Sequence, residues 1–275
     1  MLQIFLLIWG RMLAYTLGVL VACGLAVEIC YRLCFLVMGE RIGRTFWRMT
    51  AWFGTPVHEL GHALMCLLFA HRIEHIRLFS TRHGSAQVQH SYKKRNLYAV
   101  FGNFWIGLGP IFTGIGMILL LLWLAFPAAL DGWFEATRML LATATKEGDA
   151  VGAMGECIRR LLGGMWSDHS HPLWARLLAL GGMFCMALHV RLSASDVVGM
   201  LSGLPGFALL TALCAGIATA VGEVAQRDLV MGVKQLAWLV VTLFALILLL
   251  GVLQLVLAIL CRLVALFWCV AFRKE

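Results

Sequence analysis

Apolar runs broken only by single charges constrain this chain more than any other feature. Residues 3–38 are almost continuously apolar, with Arg11, Glu28 and Arg32 as the interruptions, and similar runs occupy 98–126, 174–190, 196–221 and 236–270. About 20 such residues in a helix cross a bilayer, and in hydrocarbon the backbone must satisfy its own hydrogen bonds. Composition agrees. Of the 275 residues, 61% are hydrophobic and 13% charged, against about 25% charged in soluble domains. Mean hydropathy is +0.88. A soluble enzyme, a disordered chain and a collagen-like fibre are excluded. The expected fold is an all-α polytopic membrane protein with about six transmembrane helices.

The formal net charge is +8, from 22 Lys and Arg against 14 Asp and Glu. Basic excess in a membrane protein marks cytoplasmic loops. No basic stripe alternates with exposed aromatics, so nucleic acid is not an expected partner. The nine cysteines lie mostly in apolar runs without a C-x-x-C pair, and they read as reduced, packed thiols. Leu20-Val21-Ala22-Cys23 loosely matches a lipoprotein cleavage box, but the apolar run continues through Met38. The segment therefore reads as a membrane helix.

The spans divide the chain. Arg41, Arg44 and Arg48 follow the first run on one helical face as headgroup anchors, and the second span covers about Thr50 to Ala70. Residues 71–96 change character. They hold Arg72, Arg77, Arg82, Lys93, Lys94 and Arg95, with alternating runs at Ile76–Phe79 and Ala86–Gln89 around His83-Gly84-Ser85. That pattern predicts a small β-hairpin. Pro127 closes the third span. Residues 128–172 read as a long polar loop with amphipathic pieces at Trp133–Leu141 and Ala150–Leu162, and Glu223, Arg227 and Asp228 as a polar turn. The resulting division is an N-terminal helix and basic anchor (1–49), a membrane core (50–205, including the β segment 71–96 and the loop 128–172) and C-terminal helices (206–275). Even parity puts the basic 71–95 loop on the same side as Arg273 and Lys274, which suggests the cytoplasm.

The sharpest chemical signal is His58-Glu59-Leu60-Gly61-His62. Histidines at i and i+4 share one helix face and can converge on one metal ion, with the glutamate beside the open position as general base. Ionisable groups inside a membrane helix are expensive and mark functional sites. The competing reading is polar contacts between helices or a proton path. Pro56 is expected to loosen the helix just ahead of the motif, and Gly61 to leave room for helix packing or substrate.

A catalytic zinc takes three protein ligands plus water. Candidates for the third are Glu28, His189, Asp196 and Glu223. Glu28 has Arg32 at i+4 as an ion-pair partner. Asp196, in Ser193-Ala194-Ser195-Asp196-Val197-Val198-Gly199, stands out, although at the start of a helix it serves equally as a cap. The 17-residue fourth span, about 25 Å long, is short enough for the Asp196 turn to dip toward His58. His90 ends the β segment, as a substrate contact or an ordinary loop histidine.

His58-Glu59-Leu60-Gly61-His62 in a membrane helix, then a short β segment, then a helix with Gly102-Asn103 and Gly107-Leu108-Gly109-Pro110, then Asp196 with Gly199, resembles the site-2 protease family of intramembrane zinc metalloproteases. The resemblance covers roughly residues 50–205. It implies Zn2+ on His58, His62 and Asp196, Glu59 as catalytic base, and Asn103 as a substrate or oxyanion contact. The family's aspartate motif is usually Leu-Asp-Gly or Asn-Pro-Asp-Gly, and Ser195-Asp196-Val197-Val198-Gly199 departs from it. The implied activity is hydrolysis of a peptide bond in or near a transmembrane segment of a membrane protein, with the bilayer as setting and a regulatory membrane partner left open. A multi-pass protein of the bacterial plasma membrane is expected. Two alternatives remain: a non-catalytic scaffold of the same fold, and a metal or proton transporter using the His58-Glu59-His62 cluster. The lack of an internal repeat counts against transport.

Overall fold

A computed structural model describes residues 1–80, 85–93, 95–144 and 150–271 of the chain. Helix α1 (Leu2–Leu13), a π-helical turn at Ala14–Gly18 and helix α2 (Val19–Met38) form one apolar rod. Gly39, at φ +73°, breaks it in a conformation that favours glycine. Helix α3 (Glu40–Leu68) then runs unbroken through Pro56. Ala70 turns the chain back at φ 57°, and the His71 N–H donates to the Cys66 carbonyl at 2.8 Å, the 6→1 bond of a Schellman ending.

Strands β1 (Arg72–Arg77) and β2 (Gln87–Ser91) pair antiparallel, with a register irregularity between Ile73 and His75. The Asn96 side chain accepts from the N–H groups of Tyr98 and Ala99 and starts helix α4 (Leu97–Ala125). Pro127 opens α5 (Pro127–Ala144), where a missing N–H costs nothing. Helices α6 (Ala150–Ser167), α7 (Leu173–His189), α8 (Ala194–Val221) and α9 (Glu223–Ala271) complete the order.

The all-helical membrane class and the hairpin after the histidine-bearing helix are as expected. Four differences have physical causes. Among the described residues, four helices are long and apolar enough to cross a membrane, with α7 a shorter apolar helix. The six-span expectation counted α3, whose charges and histidines keep it below that level. Residues 128–172 are not a loop: α5 and α6 pack as a helical hairpin whose apolar faces bury Trp133, Leu140, Cys157 and Leu161. The 223–228 segment is no polar turn. Gly222, at φ +129°, alone separates α8 from α9. The first strand begins at Arg72 rather than near Ile76. Arg82, His83, Gly84, Lys94, Arg273 and Lys274 lie outside the described residues.

Close helix crossings position the site. A Cβ on Gly61 would lie 2.6 Å from the Gly109 carbonyl, and one on Gly109 would lie 2.5 Å from the Gly61 carbonyl, so α3 and α4 meet backbone to backbone. A Cβ on Gly107 would lie 2.7 Å from the Asp196 carbonyl, so this glycine lets the start of α8 reach α4. Without a hydrophobic drive between helices in lipid, small residues at crossings supply the packing. Outer faces of α1, α8 and α9 keep Leu and Ile exposed, as lipid contact permits.

Two predictions follow from this packing. A Cβ at Gly203 would lie 2.3 Å from the Phe104 backbone nitrogen, so Gly203→Val is expected to cost about 1–3 kcal/mol by overpacking. Its melting temperature in detergent should fall, whereas Gly116→Ala, with nothing near its added Cβ, should match or exceed the wild type. The second concerns Asp168, between α6 and α7. Burial opposes its ionisation, but donors from Ser170 and the Ala128 N–H outweigh that and hold the carboxyl below its ordinary value. A depressed folded pKa stabilises above the unfolded value of about 4 and is lost as pH falls through the folded one. Asp168→Asn should therefore melt lower at pH 7, with the gap closing as pH drops below about 4.

Candidate metal centre

The site is assembled from the ends and crossings of these helices. His58 and His62 lie one turn apart on α3, with ring centroids 5.1 Å apart. Each gives its Nδ1 proton to a main-chain carbonyl. His58 Nδ1 donates to the His189 carbonyl at 2.8 Å, and His62 Nδ1 to the Ile106 carbonyl at 2.9 Å.

Both carbonyls are free for identifiable reasons. Inside α4, the Ile106 carbonyl would accept from the N–H of residue 110, but residue 110 is proline and has none. The His189 carbonyl belongs to the last residue of α7 and has no partner within its helix. With Nδ1 protonated, each Nε2 presents a lone pair, the state a metal ligand needs.

Those two Nε2 atoms point at one carboxylate. Asp196 Oδ2 lies 3.5 Å from His58 Nε2, and Oδ1 lies 3.2 Å from His62 Nε2. His58, His62 and Asp196 form one group able to hold a metal ion. Asp196 is also the N3 residue of a capping box. Its Oδ2 accepts the Ser193 N–H at 2.6 Å, and Ser193 Oγ accepts the Asp196 N–H at 3.2 Å. The sequence set cap against ligand; the cap is present, and the same carboxylate also faces both histidines. The cap fixes the side chain against its own helix while its other oxygen stays directed at His62.

Glu59 is 8% exposed and takes a backbone hydrogen bond from Val88 of β2. A cavity of about 460 Å³ joins these groups, bounded by β2 and by Asn103 of α4. Asn103 is 5% exposed, and its amide has no hydrogen-bond partner among the described residues. His90 lines the same cavity, with its Nδ1 engaged 2.9 Å from His71 Nδ1. Burial pushes the His90 imidazole below its ordinary value, and nearby His71 and His62 push the same way.

The structure thus brings together His58, Glu59, His62, Asp196, Asn103 and His90. The other candidates for a third ligand are placed elsewhere. Glu28 pairs with Arg32 at 2.7 Å and Arg191 at 3.1 Å, so it anchors the α7–α8 turn to α2. The His189 ring stacks on Trp47, and only its carbonyl serves the site. Glu223 opens α9. Sequence reading named Ser193 as a possible cap but missed the roles of Pro110 and Val88. Pro110 was legible by counting: a proline four residues after Ile106 frees that carbonyl.

Residues 22–145 match the family described as Peptidase M50B-like, a site-2 protease family. Searches of the curated proteins and of the solved structures give no match. The matched segment holds His58, Glu59, His62 and Asn103, and Asp196 joins them from beyond it. Over residues 22–145 the chain is similar to the Peptidase M50B-like, site-2 protease family, and the whole chain is an integral membrane protein.

Proposed function

We propose that this chain is an intramembrane zinc metalloendopeptidase that hydrolyses a peptide bond in or near a transmembrane segment of a membrane protein. Its setting is multi-pass, in the plasma membrane of a bacterium. The observation that carries the reading is the pair of Nδ1-anchored histidines whose Nε2 atoms converge on Asp196, with Glu59 buried beside them. Two neutral imidazoles and one carboxylate are a donor set that suits zinc and leaves a position open.

His58, His62 and Asp196 would hold the ion. Zinc bound there supplies a Lewis acid and brings the pKa of a coordinated water toward 7. Glu59 accepts a proton from the attacking water as the new C–O bond forms, and then delivers it to the amine nitrogen, so that the peptide C–N bond breaks and the amine leaves. Its burial keeps that proton from bulk water. The Asn103 amide, which lines the cavity, would donate to a substrate carbonyl. A peptide must be extended for cleavage, and β2 has β1 on one side and the cavity on the other. That arrangement suits strand addition, which would hold an unwound piece of a transmembrane substrate.

Purified wild type and Glu59→Gln should each carry zinc at the His58 site, and only the wild type should cleave single-span model substrates. Cleavage by Glu59→Gln would remove the glutamate from the mechanism, and wild type without zinc at this site would end the metalloprotease reading. Asp196→Asn separates ligand from cap, because the amide oxygen can still accept the Ser193 N–H. We expect it to fold and to lose zinc.

Pro110→Ala tests the freed carbonyl. Alanine restores an N–H that competes with His62 for the Ile106 carbonyl, while removing a helix-breaking residue. Zinc competition should show metal affinity down by about 10–100-fold, the usual range for such outer partners.

A further inference from the structure

A second cluster lies one turn along the same face of α3. Cys66 follows His62 by four residues, about 6 Å of helical rise. Its thiol, His71 and His90 place one ligand atom each within 4.8 Å of one another. The cluster takes no part in the hydrolysis described above, and reading the cysteines as simply packed thiols does not account for it.

Three features of the chain converge to build it. Ala70 adopts φ 57°, and that left-handed turn folds His71 back over Cys66, five residues earlier, with the His71 N–H on the Cys66 carbonyl. The irregular register of β1 and β2 falls between Ile73 and His75, directly beside the Ile73–His90 pair. Such bulges re-aim side chains. Last, His71 Nε2 lies 2.8 Å from the Ala99 carbonyl. Its proton goes there, which leaves His71 Nδ1 bare and facing His90. This is the arrangement that prepares His58 and His62, with the two ring nitrogens exchanged.

We propose that Cys66, His71 and His90 bind a second metal ion, a borderline d10 cation of the zinc class, through one thiolate and two imidazole nitrogens. Sulfur and nitrogen donors without a carboxylate select such an ion over magnesium or calcium. Binding releases one proton, from the Cys66 thiol, to solvent. The proton on His90 Nδ1 that otherwise bridges to His71 moves to His90 Nε2 in the neutral ring. Cys66 is fully buried and His71 nearly so, whereas His90 is partly open on the cavity side, which is the route in. An ion there ties the end of α3 to β2, the strand that holds Glu59 through Val88.

Cobalt(II) distinguishes the two sites, because only this one has a thiolate. The full-length protein in detergent, stripped and reloaded with cobalt, should show a near-ultraviolet thiolate-to-cobalt absorption. His62→Ala should keep that band, while Cys66→Ser and His90→Ala should lose it. Zinc should number two per wild-type chain, falling to one in His62→Ala and to one in His90→Ala, a partly exposed position that tolerates truncation. A band with a single zinc that His62→Ala leaves in place supports this site and removes the catalytic one instead. Absence of the band, or its survival in Cys66→Ser, overturns the proposal and leaves His71 and His90 as a hydrogen-bonded pair.

Discussion

Everything at the centre depends on two main-chain carbonyls that lack their helical partners. An imidazole can bind a metal through one nitrogen only when the other has somewhere to put its proton. In a membrane, water does not offer that acceptor. The chain supplies it from its own backbone, once by placing Pro110 where Ile106 would have found a donor, and once by ending α7 at His189. Each device leaves a polar group unsatisfied in its helix, and each histidine satisfies it. The free energy of an unpaired buried carbonyl, about 1–3 kcal/mol, thereby holds the ring's orientation.

The aspartate follows the same economy. A carboxylate at the start of α8 would be costly to bury alone. The capping box surrounds it with donors from Ser193, and Gly107 lets the first turn of α8 lie against α4. The Glu28–Arg191 ion pair secures the connection just before Ser193. Placement of the Asp196 carboxylate thus rests on contacts from α2, α4 and its own helix.

The hairpin has a matching role. It is too small to be stable alone, yet it packs on the end of α3 and reaches Glu59 through Val88 and His71 through His90. A strand with one edge toward the cavity suits the extended peptide of the proposed function, so the part of the chain least like a membrane protein is the part that reading assigns to substrate.

The sequence alone determined the membrane class, because no soluble fold covers so much apolar surface. It determined the His58-Glu59-His62 face, because i,i+4 spacing on a helix is local geometry. It also marked residues 71–96 as a break in character. Local pattern put Asp196 ahead of its rivals but could not separate cap from ligand, since both have the same residue type at the same position. Nor could it show that residues 128–172 pack as a hairpin, since amphipathic helices and a polar loop differ only in what covers the apolar face. Tertiary structure shows the helical hairpin, and it shows the capping carboxylate also facing both histidines. The close backbone crossings at Gly61, Gly107 and Gly109 bring residues 58 and 196 together, and such pairing depends on distances between helices, which no spacing along one chain encodes.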